Sequence, residues 1–148
     1  MTAGNLLRLD NVGIMVRDME RVIAFFTELG LSVDGRTTVE GEWVDRTIGI
    51  ENARCEIAML STPDGGVRLE LSRFITPKAL GDGTPVPVNT LGIRRLMFAV
   101  DDLHAVLVQL QAVGAELIGE VTQYRDMYLL CYVNGPEGIM IALAEKLY

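Results

Sequence analysis

An α+β domain made of two copies of one βαβββ unit is the fold this sequence predicts, and three observations predict it. The 148-residue chain repeats its pattern at a fixed offset of 84 residues, seen from Asn11 to Arg95. Each repeat carries one amphipathic helical run. Three strand-like segments come after each run, separated by turn residues.

Asn11-Val-Gly-Ile-Met-Val-Arg-Asp18 matches Arg95-Leu-Met-Phe-Ala-Val-Asp-Asp102, a short apolar strand ending in Val, a polar residue and Asp. Asp18 and Asp102 stand at helix N-cap positions, where a carboxylate accepts from the orphan N–H groups of the first turn. The spacing predicts helices over Met19–Leu29 and Leu103–Val113. Met19, Val22, Ile23, Phe26 and Leu29 form one apolar stripe, and Leu103, Val106, Leu107, Leu110 and Val113 form its twin. Both keep a 3.6-residue period. Gly30 and Gly114 then supply the residue that ends a helix with positive φ.

Strands are expected over Ser32–Val39, Ala53–Ser61 and Val67–Phe74, and again over Leu117–Gln123, Tyr128–Val133 and Ile139–Glu145. Pro63-Asp64-Gly65-Gly66 and Asn134-Gly135-Pro136-Glu137-Gly138 are turn sequences joining the last two strands of each set. Residues 76–91, rich in Pro and Gly, read as a linker between modules at 6–75 and 92–145 of a single domain, 1–148. Neither half can close a core alone, so the two sheets are expected to pack together or onto a second chain.

The bulk numbers narrow the function. The formal net charge is −7, with 49% hydrophobic and 22% charged residues. That composition is globular, and an acidic chain without a Lys/Arg cluster lacks the footprint of a nucleic-acid binder. No segment approaches the roughly 20 apolar residues of a membrane span, nor is there a signal-peptide run. Cys55 and Cys131 lie in apolar segments, as buried thiols in a reducing compartment do. The expectation is a cytoplasmic protein with no nucleic-acid or membrane partner.

Alternation along strands locates a candidate site. Val12, Ile14 and Val16 should face the helix, leaving Leu9, Asn11, Gly13 and Met15 on the other side with Arg95, Met97 and Ala99 as their counterparts. In the last strands, Arg68, Glu70 and Ser72, and Met140, Ala142 and Ala144, share that non-helix side. An apolar surface with a few placed polar groups is what ligand cavities look like.

Leu9-Asp10-Asn11-Val12-Gly13-Ile14, the subsequent Val16-Arg17-Asp18, and the helix ending Phe25-Phe26-Thr27-Glu28-Leu29-Gly30-Leu31 resemble the opening of a glyoxalase, bleomycin-resistance or extradiol-dioxygenase domain. The resemblance, to the vicinal oxygen chelate superfamily, runs from Leu6 to Glu145 and includes the Gly-Pro-Glu-Gly turn before the last strand. It implies paired modules forming a cup, an incompletely closed mixed β-barrel with helices outside. In metal-dependent relatives, the first and last strands of each module supply four ligands to a divalent cation, usually His or Glu. Those positions fall on Asn11, Glu70, Arg95 and Ala142. Only Glu70 is a good ligand. Asn11 offers at most a carbonyl oxygen suited to a hard cation, and Arg95 is permanently cationic and donor-only. No cofactor is therefore expected, and a divalent metal is disfavoured. Arg95 is expected to stand in for the cation and to pair with Glu70, with Ala142 leaving room for the guanidinium.

The expected ligand-binding set is Asn11, Met15, Trp43, Glu70, Arg95, Met97, Tyr128 and Met140, with Glu70 the candidate base. Trp43 reads either as a plug closing one end of the cup or as a wall stacking on a planar ligand. Tyr124, Tyr128 and Tyr132 gather on the second meander, where they read as edge packing or as a phenol directed into the cup to donate a hydrogen bond or a proton. His104 falls outside its helix's buried stripe and reads as solvated.

The leading reading is a protein that binds a small organic ligand, anionic or carbonyl-bearing, either sequestering it or acting on it. The alternative is a metal-dependent lyase, isomerase, epimerase or dioxygenase, with ligands recruited from Glu42, Asp45, Glu56 or a tyrosine. A third possibility is a purely structural or protein-interaction module. A homodimer is expected, because open sheets leave edges and apolar surface to cover.

Overall fold

β1 (Asn11–Met15) leads into α1 (Met19–Leu29), then β2 (Ser32–Glu40), α2 (Glu42–Ile48), β3 (Arg54–Ser61) and β4 (Arg68–Thr76). The second repeat gives β5 (Leu96–Val100), α3 (Leu103–Ala112), β6 (Glu116–Tyr124), β7 (Tyr128–Asn134) and β8 (Met140–Lys146). These elements come from a computed structural model that describes residues 3–148. The expected α+β architecture holds, with strand ends within two residues of their predicted places.

Each repeat builds one four-stranded sheet. The orders are β1-β4-β3-β2 and β5-β8-β7-β6, so the two sheets share one topology. The first strand of each pairs parallel with the last, with Gly13 opposite Glu70 and Met97 opposite Ala142. All other pairs are antiparallel. Neither sheet closes on itself; β1 and β2, and β5 and β6, are edges.

The sequence reading misses α2. This seven-residue helix lies between Gly41 and Gly49, and Gly49 ends it in the left-handed conformation at φ 73°. Only Val44 is buried, so two turns leave no apolar stripe to detect. Asp45 pins the loop between α2 and β3 by accepting from the backbone N–H groups of Asn52 (2.8 Å) and Ala53 (2.9 Å). The helix α3 begins as expected, with Asp102 accepting from Ala105 N at 3.0 Å. Glu145 on β8 takes up a second orphan donor, Leu103 N, at 2.7 Å. Because α3 stops at Ala112, Val113 is exposed instead of buried.

The chain divides into two compact units, one comprising residues up to Met19 with Gly30–Ala79, the other Glu20–Leu29 with Leu80–Tyr148. The expected modules at 6–75 and 92–145 therefore need one correction. Residues Glu20–Leu29 of α1, expected to cover the Val12–Ile14 side of their own sheet, belong instead to the second unit.

Ring packing explains the placement. Phe26, fully buried, lies 6.4 Å from Phe98 of β5 between centroids. Phe25 meets Phe26 edge-on at 5.2 Å and presses its ring against Gly135. Burying an aromatic side chain contributes about 1.5–3 kcal/mol, and the second sheet has the place where two rings fit. The missing Cβ of Gly135 makes that place, since a Cβ there would stand 2.9 Å from Phe25 Cζ.

That contact generates a test. Gly135→Ala should destabilise the protein by about 1–3 kcal/mol through overpacking, measured by urea unfolding. Adding Phe25→Leu should recover part of the loss, because contacting residues couple. Strict additivity would mean that the Phe25 ring does not rest on Gly135.

Candidate functional site

In the first sheet, register and alternation place Asn11, Gly13 and Met15 of β1 on one face with Arg68, Glu70 and Ser72 of β4, and Ile57 and Met59 of β3 beside them. The opposite face carries the buried Ala58, Leu60, Leu69 and Leu71. The period-two pattern sorts the two faces as the sequence reading expects.

Glu70 sits half-buried at the middle of its face, between Gly13 and Met59. Space is left open above Gly13, where an added Cβ would meet nothing within 4 Å. Among the described residues the Glu70 side chain enters no ion pair or hydrogen bond. Asn11 is already engaged, donating from Nδ2 to Asp10 Oδ2 at 2.9 Å. That bond and the one from Arg8 (3.0 Å) hold the Asp10 carboxyl below its ordinary range. Met15 is half exposed, and Ser72 beside it is buried.

Trp43 lies on α2 with 64% of its surface exposed, so it is not a plug in the core. An open cleft of about 630 Å³ beside α2 is lined by Glu40, Glu42, Asp45, Asn52 and Arg54. Its polar groups are committed locally: Arg54 pairs with Glu40 at 3.3 Å, and Asp45 with the backbone. A second cleft, about 450 Å³, lies near Asn11 and is lined by Arg8, Leu9, Asp10, Val67 and Arg68. Neither cleft holds a residue of the expected binding set.

In the second sheet, Met97 and Ala99 of β5 share a face with Met140, Ala142 and Ala144 of β8 and with Tyr128, Leu130, Tyr132 and Asn134 of β7. Arg95, just before β5, lays its guanidinium over the Tyr132 ring, 4.6 Å from the centroid. Among the described residues Arg95 has no ion pair, so a cation–π contact stands where the salt bridge was expected. Tyr132 opposes Ala142 across the β7–β8 ladder. The fully buried Ala142 offers no ligand atom, and its small side chain leaves the phenol ring clear beneath the guanidinium.

Met97 is half exposed on this face, whereas Met140 is buried. Tyr128 stacks edge-on with Tyr148 at 6.3 Å. A hydrogen bond to that phenol, its charge, and then burial push Tyr128 above the usual value of 10.0. Such a group is a poor proton donor at neutral pH. His104 is exposed on α3, as expected.

The sequence reading did not pair Tyr132 with Arg95. The signal available was strand register, because Tyr132 sits directly across from the small Ala142. Glu56 lies on the opposite face of the first sheet, accepting from Arg36 Nη2 at 3.1 Å and Arg73 Nε at 3.3 Å. Among the described residues no cluster of three His, Cys, Asp or Glu side chains is arranged to hold a metal ion.

A family model for the glyoxalase/bleomycin resistance protein/dioxygenase superfamily matches residues 10–132. The chain belongs to this superfamily, the vicinal oxygen chelate proteins. A crystal structure of a glyoxalase family protein from Bacillus cereus is 50% identical, with a TM-score of 0.95 over 100% of this chain and 99% of that one. An uncharacterized Bacillus subtilis protein, YwbC, is 27% identical over 94% of this chain and 98% of its own length. The crystal structure of TnmS3, an antibiotic binding protein from a Streptomyces species, shares the fold. Its TM-score is 0.64 at 16% identity, over 97% of this chain and 99% of that one. In this superfamily member no helix among the described residues is long and apolar enough to cross a membrane.

The Glu56 cluster predicts an acid response. Burial pushes Glu56 up, but the hydrogen bonds from Arg36 and Arg73 outweigh it and hold the carboxyl below its ordinary 4.5. A depressed carboxylate stabilises the fold above its unfolded pKa and loses that contribution as pH falls through the folded value. Stability should therefore drop as pH is lowered below 4.5. Glu56→Gln should flatten that drop by about 0.5–2 kcal/mol, the worth of two partly exposed pairs, as read from urea unfolding at pH 7 and pH 3.

Proposed function

We propose that this superfamily member binds a small organic ligand, anionic or carbonyl-bearing, on the non-helix faces of its sheets and does so without a divalent metal. The observation that carries the reading is the chemistry at the four positions where metal-dependent relatives hold their ion. Ala142 has no donor atom, Arg95 brings a positive charge, and Asn11, whose Nδ2 donates to Asp10, has only a neutral amide oxygen to offer. Glu70 is the one strong ligand, whereas a catalytic metal generally needs about three protein ligands. The cation among these four residues is the guanidinium.

Glu70 is half-buried and outside any ion pair among the described residues. On the first sheet it is the group that would accept a proton from a bound carbon acid. The antibiotic-binding relative supports the sequestering version of the same reading. The proposed setting is the cytoplasm.

The metal-free reading is tested on protein purified without chelator. It should carry no stoichiometric zinc, nickel, iron or manganese, and adding these ions should leave the melting temperature unchanged, since a bound ion stabilises by mass action. One equivalent of tightly held metal, lost on Glu70→Ala, would overturn it.

The proposed assembly is a homodimer. Leu7 and Leu91, and Leu9 and Ile93, occupy equivalent places before the first strand of each repeat, and all four are exposed, from 65% to 94%. Large apolar side chains placed twice at one position of a repeat mark a surface made to be covered. Sedimentation at micromolar concentration should give twice the 16.3 kDa chain mass. Leu91→Lys with Ile93→Lys should reduce it to the monomer.

A further inference from the structure

The second unit shows which ligand chemistry its face fits, an inference that rests on the ligand-binding reading above. We infer that Arg95, held by Tyr132, anchors the carboxylate of an apolar, aromatic organic acid whose ring lies on the neighbouring methionine and alanine surface.

Arg95 is exposed, and among the described residues it has no ion pair, its guanidinium lying over the face of the Tyr132 ring. Stacking occupies the flat side of a guanidinium and leaves its N–H edge free, the edge that meets a carboxylate with two parallel hydrogen bonds. The ring also removes much of the rotamer freedom that a long side chain would otherwise lose on binding.

The rest of the face limits the ligand body. Beside the stack Met97 and Ala99 are exposed and Leu130 is half-buried, and none of the three carries a hydrogen-bonding side chain; Asn134, two residues from Tyr132, is the polar neighbour on the other side. Over Met97, Ala99 and Leu130 a polyhydroxylated or multiply charged ligand would strip its own hydration without replacement. An arene keeps its dispersion contacts and finds a thioether in Met97, which is 51% exposed. The other cation on the face, Lys146, lies four residues beyond Ala142 along β8, about 13 Å away, over Tyr148. One anionic group is therefore matched by one guanidinium.

Tyr132 is a positioning residue, and its effect should separate from that of Arg95. Titration calorimetry with 1-naphthoate should show binding, and 1-naphthamide, equal in shape but uncharged, should bind about tenfold or more weakly. Arg95→Met should abolish that preference while leaving the amide's affinity unchanged. Tyr132→Leu should weaken naphthoate severalfold, and Tyr132→Phe, which keeps the ring, should restore it. Inorganic phosphate should not compete. Equal affinity for acid and amide, or competition by phosphate, would overturn this inference while leaving ligand binding intact. Failure of both arenes to bind would overturn it together with the reading on which it rests.

Discussion

Parallel pairing of the first strand of each repeat with its last is the constraint on which the rest of this structure depends. A parallel pair cannot be joined by a tight turn, so the chain must leave the sheet, cross over and return. The intervening helix and hairpin are that detour. Once β1 lies beside β4 and β5 beside β8, the residues of the two neighbouring strands come into fixed register, Gly13 with Glu70 and Met97 with Ala142. The positions that face each other on the non-helix side are thus set by strand order before any side chain is chosen.

Side-chain choice then decides the character of each face. In the first sheet a glycine opposite Glu70 leaves the carboxylate with open space and no ionic partner among the described residues. In the second sheet an alanine opposite Tyr132 keeps the phenol ring clear for Arg95. Gly13 beside Glu70 and Ala142 beside Tyr132 do the same work in the two repeats. The charged groups that hold the fold together are elsewhere: Glu56 with Arg36 and Arg73 on the opposite face, and Asp45 pinning the loop after α2. The candidate site residues Glu70 and Arg95 thus stand apart from the ion pairs that hold the first sheet.

The place of α1 shows how a repeat becomes asymmetric. Its stripe has the same spacing as that of α3, yet its residues join the second unit because Phe25 and Phe26 need a site with no Cβ in the way, and Gly135 supplies it. Two equal sequence signals therefore yield two different packing environments.

The repeat, the strand limits, the capping Asp102 and the division of each sheet into two faces were legible in the residues, because they derive from periods of 2.0 and 3.6 and from local turn chemistry. The chemistry at Asn11, Glu70, Arg95 and Ala142 was legible too, since donor capacity belongs to the residue type. The partners were not. That Arg95 rests on Tyr132 instead of a carboxylate, that Asn11 turns to Asp10, that Trp43 stands in solvent on a short helix, and that α1 joins the second unit are all decided by distance in three dimensions. A guanidinium satisfies itself with whichever ring or carboxylate register brings within reach, and register across non-adjacent strands is a property of the folded sheet.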